Sequence, residues 1–268
     1  MQTLTISDVT MIYERPRTHE RFRAIDRVSM TIEKSSFVSI VGPSGCGKST
    51  LLAVVDGLIQ PSSGSVQMDG RPVTAPGPDR AMVFQEASLL PWFTTVQNCA
   101  YGLECQGISR KEAQQRAMPL LEMVGLKGFE HCYPGELSIG MQQRANVARA
   151  RAVDPDVLLM DEPFASLDAQ TRELMQSELL RIWDQTQKTV LFITHQLDEA
   201  IYLSDRVLVM SGRPGHIIDD VVIPIERPRS LDIKRTQEFA AIEQRLWDDL
   251  RSEIESELAP ATAADVRS

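Results

Sequence analysis

The residues with the clearest chemical potential form a glycine-rich segment, Gly-Pro-Ser-Gly-Cys-Gly-Lys-Ser, from Gly42 to Ser49. The segment fits the pattern G-x-x-x-x-G-K-[ST] at every position. Glycines let a backbone curl so that successive N–H groups point at phosphate oxygens, and a following helix adds its positive N-terminal end. In such a loop Lys48 is predicted to reach the β- and γ-phosphates of a nucleotide, and the Ser49 hydroxyl to ligate Mg²⁺. A chance glycine loop is disfavoured, because the apolar run Phe37 to Val41 precedes the segment and a helical pattern to about Asp56 follows it.

Two carboxylates follow a second apolar run, Val157 to Met160. The first, Asp161, is predicted to hold Mg²⁺ directly or through water, and the second, Glu162, to accept a proton from an attacking water. Alone, the pair could simply end a strand. The glycine-rich loop favours the functional interpretation, since both motifs serve phosphoryl chemistry.

Two other polar residues also end apolar runs: Gln85 follows Ala81 to Phe84, and His195 follows Val190 to Thr194. A lone histidine after a strand is more often structural. Beside a γ-phosphate, however, His195 could hydrogen-bond to an oxygen and sense whether ATP is intact. Because a doubly wound sheet gathers its ligands at the carboxyl ends of its strands, we expect all four strand ends to share one crevice.

The elements that must position these groups can be predicted from periodicity. Alternation of apolar and polar residues predicts half-buried strands at Thr3 to Thr10 and Val28 to Ile32. The strand–helix–strand order around the motifs predicts a parallel α/β core. Helical patterns from Arg110 to Val124 and from Gln142 to Ala152 predict a helical insert between Thr94 and Arg151.

The C-terminal part becomes charged after about Pro228. The stretch Phe239 to Leu258 has the pattern of an amphipathic helix, which could pack on the core or on a second subunit. The last ten residues are predicted to fray.

The composition is that of a globular protein, with 43% hydrophobic and 24% charged residues among 268. The formal net charge of −9 is a poor electrostatic match to a phosphate backbone, so no nucleic-acid partner is expected. We expect no secretory signal at Met1 to Thr5 and no membrane-spanning segment. The four cysteines show no C-x-x-C spacing and are expected to be reduced thiols.

Together these motifs resemble an ABC-type ATPase. The segment Leu137 to Arg144 is similar to the signature of that family, and Ser166 to Asp168 is similar to its D-loop. The resemblance implies an α/β P-loop NTPase core with an N-terminal antiparallel β part and an inserted α-helical subdomain. It implies an ATPase domain over residues 1–228, with the helical subdomain at about 94–151, and a helical tail over 229–268.

The resemblance also implies a role for each motif residue, with ATP and Mg²⁺ as cofactors. The residues expected to bind the nucleotide are Tyr13, Gly42, Pro43, Ser44, Gly45, Cys46, Gly47, Lys48, Ser49 and Thr50. The expected catalytic residues are Glu162, His195 and Gln85; the expected metal ligands are Ser49, Gln85 and Asp161; the expected D-loop residues are Ser166 and Asp168. The signature residues Ser138, Ile139, Gly140 and Gln142 are expected to act on ATP held by a partner subunit. Tyr13 is expected to stack on adenine, although it could instead pack locally, with Phe22 as the rival.

More narrowly, the chain resembles the ATPase subunits of nitrate, sulfonate and taurine importers. The segments typical of that branch are Phe84 to Trp92, Asp161 to Phe164 and Ser211 to Gly215. This implies a bacterial importer subunit, peripheral on the cytoplasmic face of the inner or plasma membrane. The implied partners are transmembrane permease subunits, which would dock on Leu89 to Trp92, and a second ATP-binding subunit in a homo- or heterodimer. A periplasmic or extracellular substrate-binding protein would act through the permease.

One position departs from the family pattern. The signature reads Leu-Ser-Gly-Gly in the family, and Ile139 stands where the first glycine is expected. Either the backbone there has negative φ and the side chain points away, or the site is weakened. The alternative to an active importer ATPase is therefore a degenerate, regulatory subunit of a heterodimer. A soluble ABC protein acting on DNA or ribosomes is disfavoured, because such proteins usually carry two cassettes or a long coiled-coil insert.

Overall fold

The computed structural model describes residues 3–258, in which strands and helices alternate after an initial β-rich part. The strands are β1 (Thr3–Glu14), β2 (Arg21–Glu33), β3 (Phe37–Val41), β4 (Ser63–Met68), β5 (Arg71–Pro72), β6 (Arg80–Val83), β7 (Val157–Asp161), β8 (Thr189–Ile193), β9 (Arg206–Met210) and β10 (Ile217–Val222). The helices are α1 (Lys48–Asp56), α2 (Thr95–Cys105), α3 (Arg110–Met123), α4 (Ile139–Ala152), α5 (Ala169–Thr186), α6 (Leu197–Leu203) and α7 (Gln237–Leu258). Two 3₁₀ turns lie at Pro134–Glu136 and Leu231–Arg235.

The strands form two sheets. The first is antiparallel, with the order β2-β1-β4-β5. The second has the order β10-β9-β3-β8-β7-β6, and only its β9–β10 pair is antiparallel. The carboxyl ends of β3, β6, β7 and β8 therefore lie along one edge of the second sheet, as the strand-end argument requires.

The core is divided by the faces of the parallel sheet. Alternate residues of β3 point to opposite faces: Phe37 and Val41 pack with α5, α6 and α7, whereas Val38 and Ile40 pack with α1 and the antiparallel sheet. A third cluster joins α2, α3 and α4. Burial on both faces explains why β3 and β8 are almost wholly apolar.

The predicted fold class is confirmed, and several elements differ from the prediction in length. The first two strands extend to Glu14 and Arg21 because they pair with each other along a long hairpin. Helix α4 begins at Ile139, three residues before the predicted start, because the Ser138 side chain caps it. Strands β4, β5, β9 and β10 and helices α2 and α6 were not predicted from the sequence.

Helix α7 packs on the core of its own chain. Phe239, Leu246 and Leu250 are buried in the cluster that also contains residues of α5 and α6. The structure thus shows the first of the two packings expected for the amphipathic helix, on the core of its own chain. The predicted fraying concerns residues 259–268, which lie outside the described part.

Cys46, Cys99, Cys105 and Cys132 form no disulfide within residues 3–258. No helix within residues 3–258 has the length and hydropathy needed to cross a bilayer.

Candidate nucleotide-binding and hydrolysis site

The P-loop (Gly42–Ser49) connects β3 to α1 and is enclosed by the backbone of neighbouring elements. A Cβ at Gly42 would lie 2.7 Å from the Met210 carbonyl oxygen, and a Cβ at Gly47 would lie 2.9 Å from the Ala24 carbonyl oxygen. Gly47 also has a φ of +107°, which a residue with a side chain rarely adopts. These two glycines are therefore required by the packing of this chain.

Lys48 is 6% exposed and reaches back over the loop. Its Nζ donates to the carbonyl oxygens of Gly42 and Pro43, both at 2.8 Å, and lies 3.7 Å from the Cys46 Sγ. Burial raises the pKa of the Cys46 thiol. The ammonium group is thus held at the centre of the loop, where a phosphate would be cradled.

Ser49 and Asp161 meet across two elements. The Ser49 hydroxyl, at the start of α1, donates to the Asp161 Oδ1 at the end of β7 over 3.1 Å. Burial raises the pKa of the Asp161 carboxyl, while the hydrogen bond from Ser49 opposes the shift. The two predicted magnesium ligands therefore lie side by side.

Glu162 and His195 form a second pair beside the first. The Nδ1 of His195 lies 3.0 Å from the Glu162 Oε2, and the Glu162 side chain is only 21% exposed. Glu162 has a φ of +43°, in the left-handed region, and its N–H donates to the Ile193 carbonyl oxygen at 2.9 Å. The ends of β7 and β8 thus hold the carboxylate and the imidazole together.

Gln85 does not join these pairs. It lies beyond the end of β6, next to β7, but its side chain is exposed and makes no hydrogen bond to Ser49 or Asp161 among the described residues. Its backbone carbonyl instead accepts a hydrogen bond from the Nε2 of Gln143, at 3.0 Å. Gln85 therefore lies at the predicted edge of the sheet, but its side chain does not enter the crevice.

A cavity of about 350 Å³, the P-loop cavity, lies between the P-loop and the antiparallel sheet. Its lining residues are Tyr13, Phe22, Ala24, Ser44, Gly45, Gly47, Lys48, Ser49, Thr50, Glu162 and Arg213. Tyr13 and Phe22, which face each other across β1 and β2, stack with ring centroids 5.7 Å apart. Both aromatic candidates therefore line one wall. A larger cavity of about 500 Å³ beside β5 and β6 contains none of the predicted site residues.

The signature residues lie at the N-terminus of α4, outside this cavity. The Ser138 hydroxyl accepts a hydrogen bond from the Met141 N–H at 3.3 Å, so it caps the helix. Ile139 has helical backbone with negative φ, and its side chain is 63% exposed. Gln142 supports the preceding turn, because its Nε2 donates to the carbonyl oxygens of Pro134 and Leu137.

The D-loop residues lie just before α5. Ser166 is exposed, and Asp168 caps the helix by accepting a hydrogen bond from the Thr171 N–H at 3.0 Å. Hydrogen bonds from the Thr171 side chain and from its N–H lower the pKa of the Asp168 carboxyl. Gly140 lies close to this segment, since a Cβ there would be 3.4 Å from the Leu167 Cδ2.

Comparison with known proteins decides the family. The model of the family described as "ABC transporter" matches residues 25–165. The chain belongs to the ABC transporter family. It is 45% identical over 256 residues to a taurine import ATP-binding protein of Rhizobium johnstonii, covering 91% of this chain and 98% of that one. It is 49% identical over 222 residues to a nitrate import ATP-binding protein of Synechocystis, covering 81% and 84% of the two chains.

A solved structure extends the likeness to three dimensions. A dimeric ATP-binding cassette in a post-hydrolysis state, bound to ADP and Pi, matches with a TM-score of 0.74 and 30% identity. The match covers 83% of this chain and 100% of that chain. The ABC protein described here is therefore an ATPase with the cassette fold.

Sequence motifs did not point to every residue that lines the ABC protein's cavity. Phe22 was only the rival of Tyr13, and Arg213 and Ala24 were not predicted at all. Arg213 lies in the segment Ser211 to Gly215, which the sequence marked only as typical of a branch of the family. Its position next to the P-loop depends on the pairing of β9 with β3, which no local pattern reveals.

Proposed function

We propose that this chain is the ATP-hydrolysing subunit of a bacterial ABC importer for nitrate, a sulfonate, taurine or a related small solute. The observation that carries the proposal is the meeting of two pairs at the mouth of the P-loop. Ser49 lies 3.1 Å from Asp161, and Glu162 lies 3.0 Å from His195. The names of the taurine and nitrate relatives support the importer assignment.

The binding half of the site uses Lys48 and the loop amides. The Lys48 ammonium now donates to two carbonyl oxygens of its own loop, and phosphate oxygens would replace them as acceptors. The hydroxyl of Ser49 and the carboxylate of Asp161 are hard oxygen donors, and Mg²⁺ takes one or two such protein ligands together with phosphates and water. When bound, Mg²⁺ would neutralise charge on the phosphates.

The hydrolytic half uses Glu162 and His195. Glu162 is the carboxylate that lines the P-loop cavity, and it is suited to accept a proton from an attacking water. The Nδ1 of His195 contacts the Glu162 Oε2 and so fixes the direction of the Glu162 carboxylate. Gln85 would have to approach the metal by a movement of the segment after β6.

The simplest test of the site compares two lysines. The chain should bind and hydrolyse ATP, and Lys48→Ala should weaken binding of a fluorescent ATP analogue at least tenfold. Lys34→Ala, at an exposed turn between β2 and β3, is the matched control and should leave both properties unchanged. Equal affinities of the two variants would remove Lys48 from the nucleotide site.

The partners follow from the surface next to the site. We propose that a second ATP-binding subunit completes each nucleotide site with its signature, as the dimeric relative suggests. We also propose that the permease docks near Trp92, which is 66% exposed and contacts the ring of Phe93, whose other neighbour is the ring of Tyr101. Leu89 contributes less than the sequence suggested, because it packs against the cluster of α2, α3 and α4. In this proposal a binding protein delivers solute on the other side of the permease, and this subunit lies at the cytoplasmic face of the membrane.

Docking can be tested with two tryptophans. Trp92→Ser should reduce solute uptake by cells and leave ATP affinity unchanged. Trp247→Ser, on α7 and 49% exposed, is the matched control. Solute uptake that is unaffected by Trp92→Ser would place the docking surface elsewhere.

Uptake of labelled nitrate, taurine and an alkanesulfonate by cells with and without the gene identifies the solute. If cells without the gene still take up all three solutes, the solute assignment is wrong.

The alternative of a degenerate, regulatory subunit depends on Ile139 alone. Its negative φ and exposed side chain place no strain on the backbone of this chain. Lys48 lies within the P-loop, Asp161 accepts a hydrogen bond from Ser49, and Glu162 lies beside His195. We therefore favour the active subunit.

A further inference from the structure

The P-loop cavity contains a second cation besides Lys48. Arg213 lines it, although Arg213 comes from the loop between β9 and β10, far along the chain from the P-loop. The cavity has one acidic lining residue, Glu162, among those described. Two cations in a cavity that also includes the P-loop amides favour an anionic ligand.

The backbone of this loop is fixed against the P-loop. A Cβ at Gly215 would lie 2.0 Å from the Cys46 carbonyl oxygen, so the two segments are in direct backbone contact. The Gly215 N–H donates to the Ala24 carbonyl oxygen at 3.0 Å, and the Asp26 N–H donates to the Gly215 carbonyl oxygen at 2.9 Å. The loop is therefore a built wall of the cavity, and Arg213 has a defined origin beside it.

The side chain of Arg213 lies between the P-loop and the aromatic pair. Its Nε and Nη2 lie 3.3 Å and 3.0 Å from the Gly45 carbonyl oxygen, and its guanidinium carbon lies 5.6 Å from the centre of the Phe22 ring. An arginine against an aromatic face gains cation–π attraction and is held in one orientation. Its planar fork is suited to phosphate oxygens, which are the anionic part of a nucleotide.

The C-terminal helix α7 is hydrogen-bonded to the loop between β9 and β10. The N–H of Gly212 donates to the Glu253 Oε2 of α7 at 3.0 Å. Because α7 is anchored in the core by Phe239 and Leu246, the position of the loop depends on a helix that carries no motif residue.

We propose that Arg213 is a nucleotide-binding residue that contacts the phosphate chain of ATP or ADP. This inference rests on the nucleotide site proposed above. It adds to that site a cation from the loop between β9 and β10.

The test is a titration with fluorescent ADP and the purified chain, which needs neither hydrolysis nor a partner. Arg213→Gln should weaken binding about tenfold, as expected for the loss of a hydrogen bond to a charged group. Arg213→Lys, which keeps the charge, should lose less. Arg15→Gln is the matched control, because the Arg15 guanidinium lies 5.8 Å from the same Phe22 ring but does not line the cavity. This control should bind as the wild type does.

Two further measurements keep the outcomes distinct. Competition by adenosine, which has no phosphate, should be the same for the wild type and Arg213→Gln. With added KCl, the affinity of Arg213→Gln for ADP should fall less steeply than the affinity of the wild type. An equal loss of affinity for adenosine, or equal behaviour of Arg213→Gln and Arg15→Gln, would overturn the proposal. If Lys48→Ala has no effect either, the nucleotide site itself is wrong; if only Lys48→Ala has an effect, the site stands and Arg213 is excluded. Thermal unfolding of each variant verifies that it is folded, and Arg213→Lys provides the test if Arg213→Gln is not.

Discussion

Two helices of this protein begin where phosphate is expected, and their first residues are built differently. At α1 the residue before the helix is Gly47, with a φ of +107°, and the first helical residue, Lys48, is 6% exposed. At α4 the capping residue is Ser138, with a φ of −63°, and the first helical residue, Ile139, is 63% exposed. The P-loop is therefore shaped by contacts within this chain, whereas the signature is presented to the outside. We expect the limits on residue choice at Ile139 to come from a partner subunit rather than from this chain.

Helix α4 also holds the segment that follows β6. Gln143, which is 1% exposed, donates to the backbone carbonyls of Phe84 and Gln85 at 3.2 Å and 3.0 Å. Arg149 donates to the carbonyl oxygens of Ala87 and Ser88 in the same segment. The segment that follows β6 is thus held by the helix that carries the signature, and a shift of one is expected to move the other.

The largest effect is expected on the rate of ATP hydrolysis, for a substitution next to the P-loop. Glu162→Gln should bind ATP with ordinary affinity but hydrolyse it about 10²–10⁴-fold more slowly, because the proposed general base is lost. The same variant should accumulate an ATP-bound dimer, detectable by size-exclusion chromatography. Phosphate release measures the rate, and Glu173→Gln, at an exposed position of α5, serves as the control. Near-normal turnover of Glu162→Gln would exclude this carboxylate as the base.

The second prediction compares a glycine at the start of α1 with a glycine at the start of α4. Gly47→Ala places a Cβ 2.9 Å from a backbone oxygen at a φ of +107°, so we expect a loss of nucleotide affinity of about tenfold or more, corresponding to at least ~1.4 kcal/mol. Gly140→Ala places its Cβ 3.4 Å from a leucine methyl group in a helix, and the monomer should tolerate it. Titration with fluorescent ADP and thermal unfolding of both variants test the contrast. Equal loss in both would mean that the signature is constrained within the chain as well.

This difference also explains what the sequence could predict. The P-loop, the carboxylates and His195 are each defined by a short segment after an apolar run, and parallel strands bring such ends to one edge of the sheet. These residues therefore lie where the sequence placed them. Gln85 is the exception, because the direction of its side chain depends on a segment held by Gln143 and Arg149 of a distant helix.

The wall of the P-loop cavity opposite the P-loop was harder to predict. Tyr13 and Phe22 stack because β1 and β2 pair with a bulged register, and a single-strand pattern does not fix that register. Arg213 reaches the cavity only because β9 lies next to β3 and the loop after it contacts the P-loop backbone. Pairings between residues so far apart in the chain leave no local signal.

A smaller effect is expected where α4 holds the segment after β6. Gln143→Leu removes the donor to the Gln85 carbonyl and one of the two donors to the Phe84 carbonyl, which also accepts from the Asn146 side chain. This loss should lower the free energy of unfolding by about 1 kcal/mol. Gln142→Leu is the neighbouring control, because Gln142 donates to Pro134 and Leu137 and not to the segment after β6. Both should bind fluorescent ADP as the wild type does, but only Gln143→Leu should lower turnover. If the two variants have the same turnover, α4 does not hold the segment after β6 in a way that matters for hydrolysis.

The smallest effect is expected for a substitution of Ile139, which tests the comparison between the starts of α1 and α4 directly. The residue has negative φ at the first position of α4, so replacing it with glycine relieves no strain in this chain. Affinity for ADP in the isolated monomer should therefore stay unchanged, because the P-loop cavity contains no signature residue. In a dimer the exposed side chain would face the partner's nucleotide, and its removal should raise turnover only modestly, by about threefold or less, since the capping serine and the helix N–H groups remain in place. A rise of tenfold or more in Ile139→Gly would mean that the isoleucine weakens the composite site. A change in monomer affinity would mean that the signature acts within its own chain, and the contrast between the two helix starts would no longer hold.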